Sequence, residues 1–180
     1  MAEEWKIAKR RNVKYKGPIP VLLNEEDFAK EKENNIKPYA YASRIIRLIT
    51  EGSDNKDCIL GYVSPSGVLM KIFGDPSGIQ WAKEHTILQN TSWGLECLGP
   101  NAVGLGMKTL AETVSVGMEN YNQNLSDVAI YYHPLYLSNG VDVFTGNGLS
   151  LYGGVVLFAK EENVNYRELL RAAALDISVH

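Results

Sequence analysis

No apolar run in the sequence approaches the roughly 18 consecutive residues that a membrane-spanning helix requires, so no membrane span is expected. The basic start, MAEEWKIAKRRNVKYKG, is followed by neither an apolar stretch nor a small-residue cleavage site. It does not read as a secretory leader, and a cytoplasmic protein is expected. Cysteine is scarce: Cys58 and Cys97 stand too far apart for a zinc-knuckle spacing, and a reducing compartment keeps such a pair as thiols. Charge of one sign is also lacking. A formal net charge of −3 gives no general attraction to a polyanion or an anionic membrane. The local cluster Lys9, Arg10, Arg11, Lys14 and Lys16 reads as a solvated arm, with no evident aromatic platform of the kind that stacks single-stranded nucleic acid. Direct nucleic-acid binding is therefore not expected.

Motifs of chemistry are missing too. There is no GxxxxGK[ST] phosphate loop, no GxSxG nucleophile elbow and no evident DNA-reading helix-turn-helix. An iron or haem site drawn from His85, His133 and Cys97 would rest on three scattered ligands without a spacing rule. No enzymatic activity is expected, and the sequence names no cofactor.

What is present is an ordinary globular composition over 180 residues, 45% hydrophobic and 22% charged. A chain of that length hides roughly 70% of its unfolded surface in one core. Gly17-Pro18-Ile19-Pro20 breaks the N-terminal arm. Helices are expected over about residues 25–35, capped by Asn24, and 38–50, where Tyr41, Ile45, Leu48 and Ile49 recur at helical spacing. From Cys58 the period changes to that of strands. CILGYV and VLMKIF flank Ser64-Pro65-Ser66-Gly67, a hairpin turn, and Asp75-Pro76 opens a short helix. A helix follows Gly99-Pro100-Asn101, carrying Gly104 and Gly106, which permit either close packing or a close ligand. Thr113 opens a short strand, and residues 118–126 form a loop rich in amides: Asn120, Asn122, Gln123 and Asn124. Strands over 127–137 and 151–160 are joined through Asn139-Gly140 and glycines 146 and 148. A final amphipathic helix starts at Asn165, with Glu168 placed as in a capping box. The fold class expected is α/β in the α+β sense. A central antiparallel sheet of five or six strands is flanked by helices, the terminal ones on one side and a pocket on the other.

Four segments carry a family resemblance: CILGYVSPSGVLMKIFGDP, GPNAVGLGM, TVSVGMENY and LYGGVVLFAKEENVNYRELLRAAALDI. Together they resemble the GAF-type sensor domains at the N-terminus of bacterial transcription activators that work with the sigma-54 form of RNA polymerase, including the regulators of acetoin and dihydroxyacetone use. The resemblance spans residues 51–178. It implies a GAF-like sensor domain over 51–180, with residues 1–50 an arm and two helices packing on it. The function it implies is binding of a small-molecule effector that regulates transcription or signalling through an output domain or a dimer partner.

In such an arrangement the ligand lies between the sheet and the covering helices and loops. The candidate ligand-binding residues are Trp93, Cys97, Asn101, Tyr131 and His133. Asn101 can bind a carbonyl or hydroxyl ligand or cap the helix behind Pro100. Trp93 can wall a ligand or complete the core. Cys97 can be a small buried hydrophobe or, as in a GAF-fold branch that reduces methionine sulfoxide, a reactive thiol. Tyr131 and His133 share one strand face and can line the pocket, or His133 can sit at a sheet edge beside Pro134. The amide-rich loop would close over the ligand, and the terminal helices would pass on the difference. The alternative is a ligand-free dimerisation module with a degenerate pocket, a homodimer through the terminal helices that Leu170→Glu would disperse.

Overall fold

The computed structural model describes residues 2–17, 23–51, 58–138 and 149–178. The period-2 segments become the strands β1 (Cys58–Val63), β2 (Val68–Phe73), β3 (Thr91–Ser92), β4 (Thr113–Val116), β5 (Ala129–Ser138) and β6 (Leu149–Ala159). They form one six-stranded antiparallel sheet in the order β3-β2-β1-β6-β5-β4. The β1–β2 hairpin closes as its turn sequence dictates: Gly67 lies at φ +86 and its N–H donates to the Ser64 carbonyl at 2.9 Å. A side chain there would be strained, which is why glycine holds the position. Asn139-Gly140 and glycines 146 and 148 lie outside the described residues.

Side-chain alternation along the strands divides the interior into two layers. Leu60, Tyr62, Tyr131, Val155 and Leu157 face one layer, and Ile59, Val63, Ile130, Tyr132, Val156 and Phe158 the other. The first layer is covered by α3 (Ile36–Glu51) and α7 (Asn165–Ser178), through Ala42, Ile46, Leu170 and Ala173. The second is covered by α4 (Pro76–Glu84), α5 (Leu95–Leu98) and α6 (Ala102–Thr109). The helix α3 and the C-terminal helix α7 thus share one side of the sheet.

Local chemistry sets most helix starts. Asn24 caps α2 (Glu25–Asn34), its side chain accepting from the Asp27 N–H at 2.8 Å. Asp75 caps α4 in the same way, accepting from Gly78 N–H at 2.6 Å with Pro76 in the first turn. Two expectations are corrected. The side-chain acceptor at the start of α7 is Asn163, which takes the Asn165 N–H at 2.9 Å, while Glu168 pairs with Arg171 at 2.8 Å instead of folding back. On α3 the inward stripe is Pro38, Ala42 and Ile46, leaving Tyr41 and Leu48 on the outside. The apolar arc of this helix is wider than one face, and small Ala42 allows the closer approach to the sheet, so it wins the inward position.

The N-terminal arm holds a helix that the sequence did not announce, α1 (Ala2–Arg10). Its isolated length is marginal for a helix in water. Tertiary contacts supply the difference: Trp5 packs edge-on to Tyr121 at 5.0 Å between ring centres, and Tyr15 packs on the same ring at 5.6 Å. No helix among the described residues is long and apolar enough to cross a membrane.

Candidate functional site

The five candidate residues do not converge on one site. Tyr131 and His133 belong to the β5 face under α3 and α7, whereas Trp93 and Asn101 belong to the opposite layer, with Cys97 nearby on α5. The first pair therefore lies on the terminal-helix side of the sheet, away from the side on which a pocket was expected.

Four of the five candidates are also engaged. The Trp93 ring packs on Phe158 at 4.9 Å, and its indole N–H donates to Thr91 Oγ1 at 2.8 Å. Asn101 is fully buried; its Oδ1 accepts from the Gly104 N–H at 3.1 Å, and its Nδ2 donates to the carbonyls of Trp93 at 3.1 Å and Gly99 at 2.8 Å. It is a helix cap and a tie between two segments at once, which uses both donors of its amide and one acceptor site of its oxygen. The Tyr131 hydroxyl accepts from the Asn163 N–H at 3.0 Å, and its ring meets Tyr166 edge-on at 5.8 Å. His133 Nδ1 lies 2.9 Å from the Pro134 carbonyl, and Cys97 is a half-buried free thiol. His85, the remaining histidine of the iron reading, lies within hydrogen-bond distance of the Trp81 carbonyl and of Asp127.

The residue that dominates the layer between the sheet and α4–α6 is Tyr132, which the sequence reading passed over. Its ring is wedged between α6 and β6: a Cβ placed on Gly106 or on Gly154 would fall deep inside the van der Waals envelope of Tyr132. Those glycines serve close packing. The hydroxyl of Tyr132 donates to the Gly153 carbonyl at 3.4 Å, and that of Tyr62, in the other layer, to the Tyr152 carbonyl at 2.8 Å.

Burial, above all other causes, pushes the pKa values of Tyr62 and Tyr132 well above the ordinary tyrosine value near 10. Above that pH the unfolded chain releases these protons first. The stability they support is therefore complete below about pH 10 and is lost as pH rises toward their folded values, at up to about 1.4 kcal/mol per pH unit for each. Urea titrations at about pH 8, 10 and 11 are expected to show this fall, and Tyr132→Phe, which keeps the wedge, is expected to make it shallower.

The amide-rich loop, expected to close over a ligand, is spent on structure. Asn120 Nδ2 donates to the carbonyls of Leu125 at 3.0 Å and Val128 at 2.9 Å, and its Oδ1 accepts from Ser115 at 2.6 Å. Asn122 and Asn124 donate to the arm carbonyls of Lys14 and Gly17, each at 3.3 Å, and the Gln123 N–H donates to Tyr15 O at 3.0 Å. The loop is a cradle for the arm. The arm is further held by Lys108, whose ammonium lies 2.6 Å from Glu4. Between α1 and the α5–α6 segment remains a cleft of about 390 Å³, walled on one side by Ile7 and Arg11 and on the other by Leu95, Glu96 and Met107. None of the five candidate residues lines it. The Trp5, Ala8 spacing in the arm and the aromatic Tyr121 were the available signals for this docking, but the partners are distant in sequence.

No family model and no curated protein matches the sequence. Among solved structures, the chain is similar to DhaR(N) of Escherichia coli in its complex with DhaL: TM-score 0.86, 16% identity, with 99% of this chain and 58% of that chain covered. The chain thus spans 58% of that neighbour's length and has its fold, in agreement at that level with the dihydroxyacetone-regulator resemblance. A structure from a Silicibacter species, assigned to the ICLR transcriptional regulators, aligns at TM-score 0.48 and 10% identity, covering 84% of this chain and 69% of that one.

Proposed function

We propose that this chain is a regulatory module of the sensor fold whose output is protein association and which carries no catalytic step. One observation carries this reading: Tyr132, locked between Gly106 and Gly154, and Trp93, packed on Phe158, fill the layer in which an effector would lie. A ligand there would have to displace a ring that is fully buried. A protein surface needs no interior space. The DhaR(N) neighbour was crystallised with another protein, DhaL, which is in keeping with protein partners for this fold.

The surface for this role is the outer face of α3 and α7, which pack against each other. Ile36 and Leu48 on α3 are 64% and 55% exposed, and Leu175 on α7 is 66% exposed. The outward side of α3 also carries Lys37 and Arg44, while α2 opens with Glu25, Glu26 and Asp27. A second copy related by a two-fold axis would set the acidic α2 of one protomer against the basic α3 of the other, twice over. Leu48→Glu and Leu175→Glu are the substitutions of choice, since Leu170 is 1% exposed and its replacement by glutamate would break the core. Light scattering over a range of concentrations is expected to show a mass that rises toward twice the protomer's and returns to one protomer's in either variant. Unfolding free energies should stay within about 0.5 kcal/mol, as for other exposed positions. A strictly monomeric chain whose melting point rises with a small molecule bound in the Tyr132 layer would overturn the proposal.

A further inference from the structure

We infer that the cleft between α1 and the α5–α6 segment binds a small zwitterion with an apolar side chain, the chemistry of an apolar α-amino acid. Four ionisable groups line it: Glu4, Arg11, Glu96 and Lys108. Two are already matched, Lys108 Nζ lying 2.6 Å from Glu4 Oε1. The other two, Arg11 and Glu96, are of opposite sign and make no side-chain hydrogen bond or ion pair among the described residues. The cleft as a whole is electrically balanced, so a ligand of net charge is not favoured by it. A ligand carrying both signs meets one unmatched partner for each: a carboxylate for the planar guanidinium of Arg11 and an ammonium for the carboxylate of Glu96. Ile7, Leu95 and Met107 in the same lining offer apolar surface to a side chain.

The backbone supports this arrangement. A Cβ on Gly94 would lie 2.7 Å from Glu96 Oε1, so glycine at 94 is what lets that carboxylate fold back over the start of α5 at the cleft. The volume of about 390 Å³ falls in the lower part of the range of small-molecule sites, roughly 300–1,000 Å³, where an amino acid and a few waters fit. One wall is α1 itself, so an occupied cleft joins the arm to α5 and α6 through a bound molecule. This inference goes beyond the association proposed above and uses none of its residues.

The test is calorimetric titration of the full chain with L-leucine and L-methionine, set against two compounds that keep the leucine side chain and lose one charge, 4-methylpentanoate and 3-methylbutylamine. Saturable binding of the amino acids is expected, weakened roughly tenfold or more in each single-charge compound. Arg11→Gln should erase the advantage of leucine over 3-methylbutylamine, and Glu96→Gln its advantage over 4-methylpentanoate. Both side chains are exposed and make no hydrogen bond or ion pair among the described residues, so the melting points of the free variants should match that of the parent. Absence of saturation up to about 10 mM amino acid, equal binding of the single-charge compounds, or binding unchanged in both variants would each overturn the inference.

Discussion

Replacing Gly106 by alanine should lower the stability of the chain by about 2–4 kcal/mol, although alanine is the better helix former by about 1 kcal/mol at an open site. The reason is tertiary. The added Cβ would run into the Tyr132 ring and sit 2.5 Å from Thr113 Oγ1, with α6 pressed on β4 and β5 and nowhere to move. For a chain of this length that loss corresponds to a drop in melting temperature of roughly 5–15 °C. The same substitution made in a Tyr132→Leu background should cost much less, because the opposing ring is gone and the two sites are in contact. Chemical denaturation of the four proteins of this cycle measures the coupling. A stabilising Gly106→Ala would show that the layer has slack, and with it the association proposal would lose its main support.

The second large effect is expected at Asn101. Asparagine and aspartate are nearly equivalent helix caps at an exposed position, so a residue that only caps would tolerate Asn101→Asp. Here the Nδ2 group donates to two buried carbonyls, those of Trp93 and Gly99. Aspartate would set a second oxygen against both of them in a site with no solvent. A loss of about 3 kcal/mol or more is expected, with Asn101→Ala no worse than Asn101→Asp, in the reverse of the order that capping alone would give. Denaturation curves of the two variants decide the matter: a neutral Asn101→Asp would return Asn101 to the role of an ordinary cap and leave its amide free for other partners.

The elements that were legible in the sequence are those whose causes are local. The Ser64–Gly67 turn, the caps at Asn24 and Asp75 and the spacing of Tyr166, Leu170, Ala173 and Ile177 can each be read within a few residues of chain, and each is found in the structure. Elements whose causes are distant were illegible or misplaced. Helix α1 exists because Trp5 and Tyr15 meet Tyr121, and β3 is a strand of two residues held against β2. The amides of the 118–126 loop have the composition of a ligand cover, but their partners are carbonyls of the arm and of the loop itself.

The candidate site divides along the same line. Strand alternation put Tyr131 and His133 on one face of β5, because side-chain direction in a strand is set by backbone geometry alone. Alternation does not say which face the terminal helices cover, and they cover that of Tyr131.

By itself, then, the sequence determined the antiparallel succession of strands, the helix boundaries that carry caps, and the residue types able to serve each face. These follow from dihedral preferences, periodicity and hydrogen bonding within a few residues. Tertiary structure alone decided how the space was used: Tyr132 between two glycines where a ligand was expected, and a charged cleft under an arm that reads as solvated. Both outcomes depend on side chains far apart in sequence competing for the same volume, and close packing settles that competition only when the whole chain is assembled.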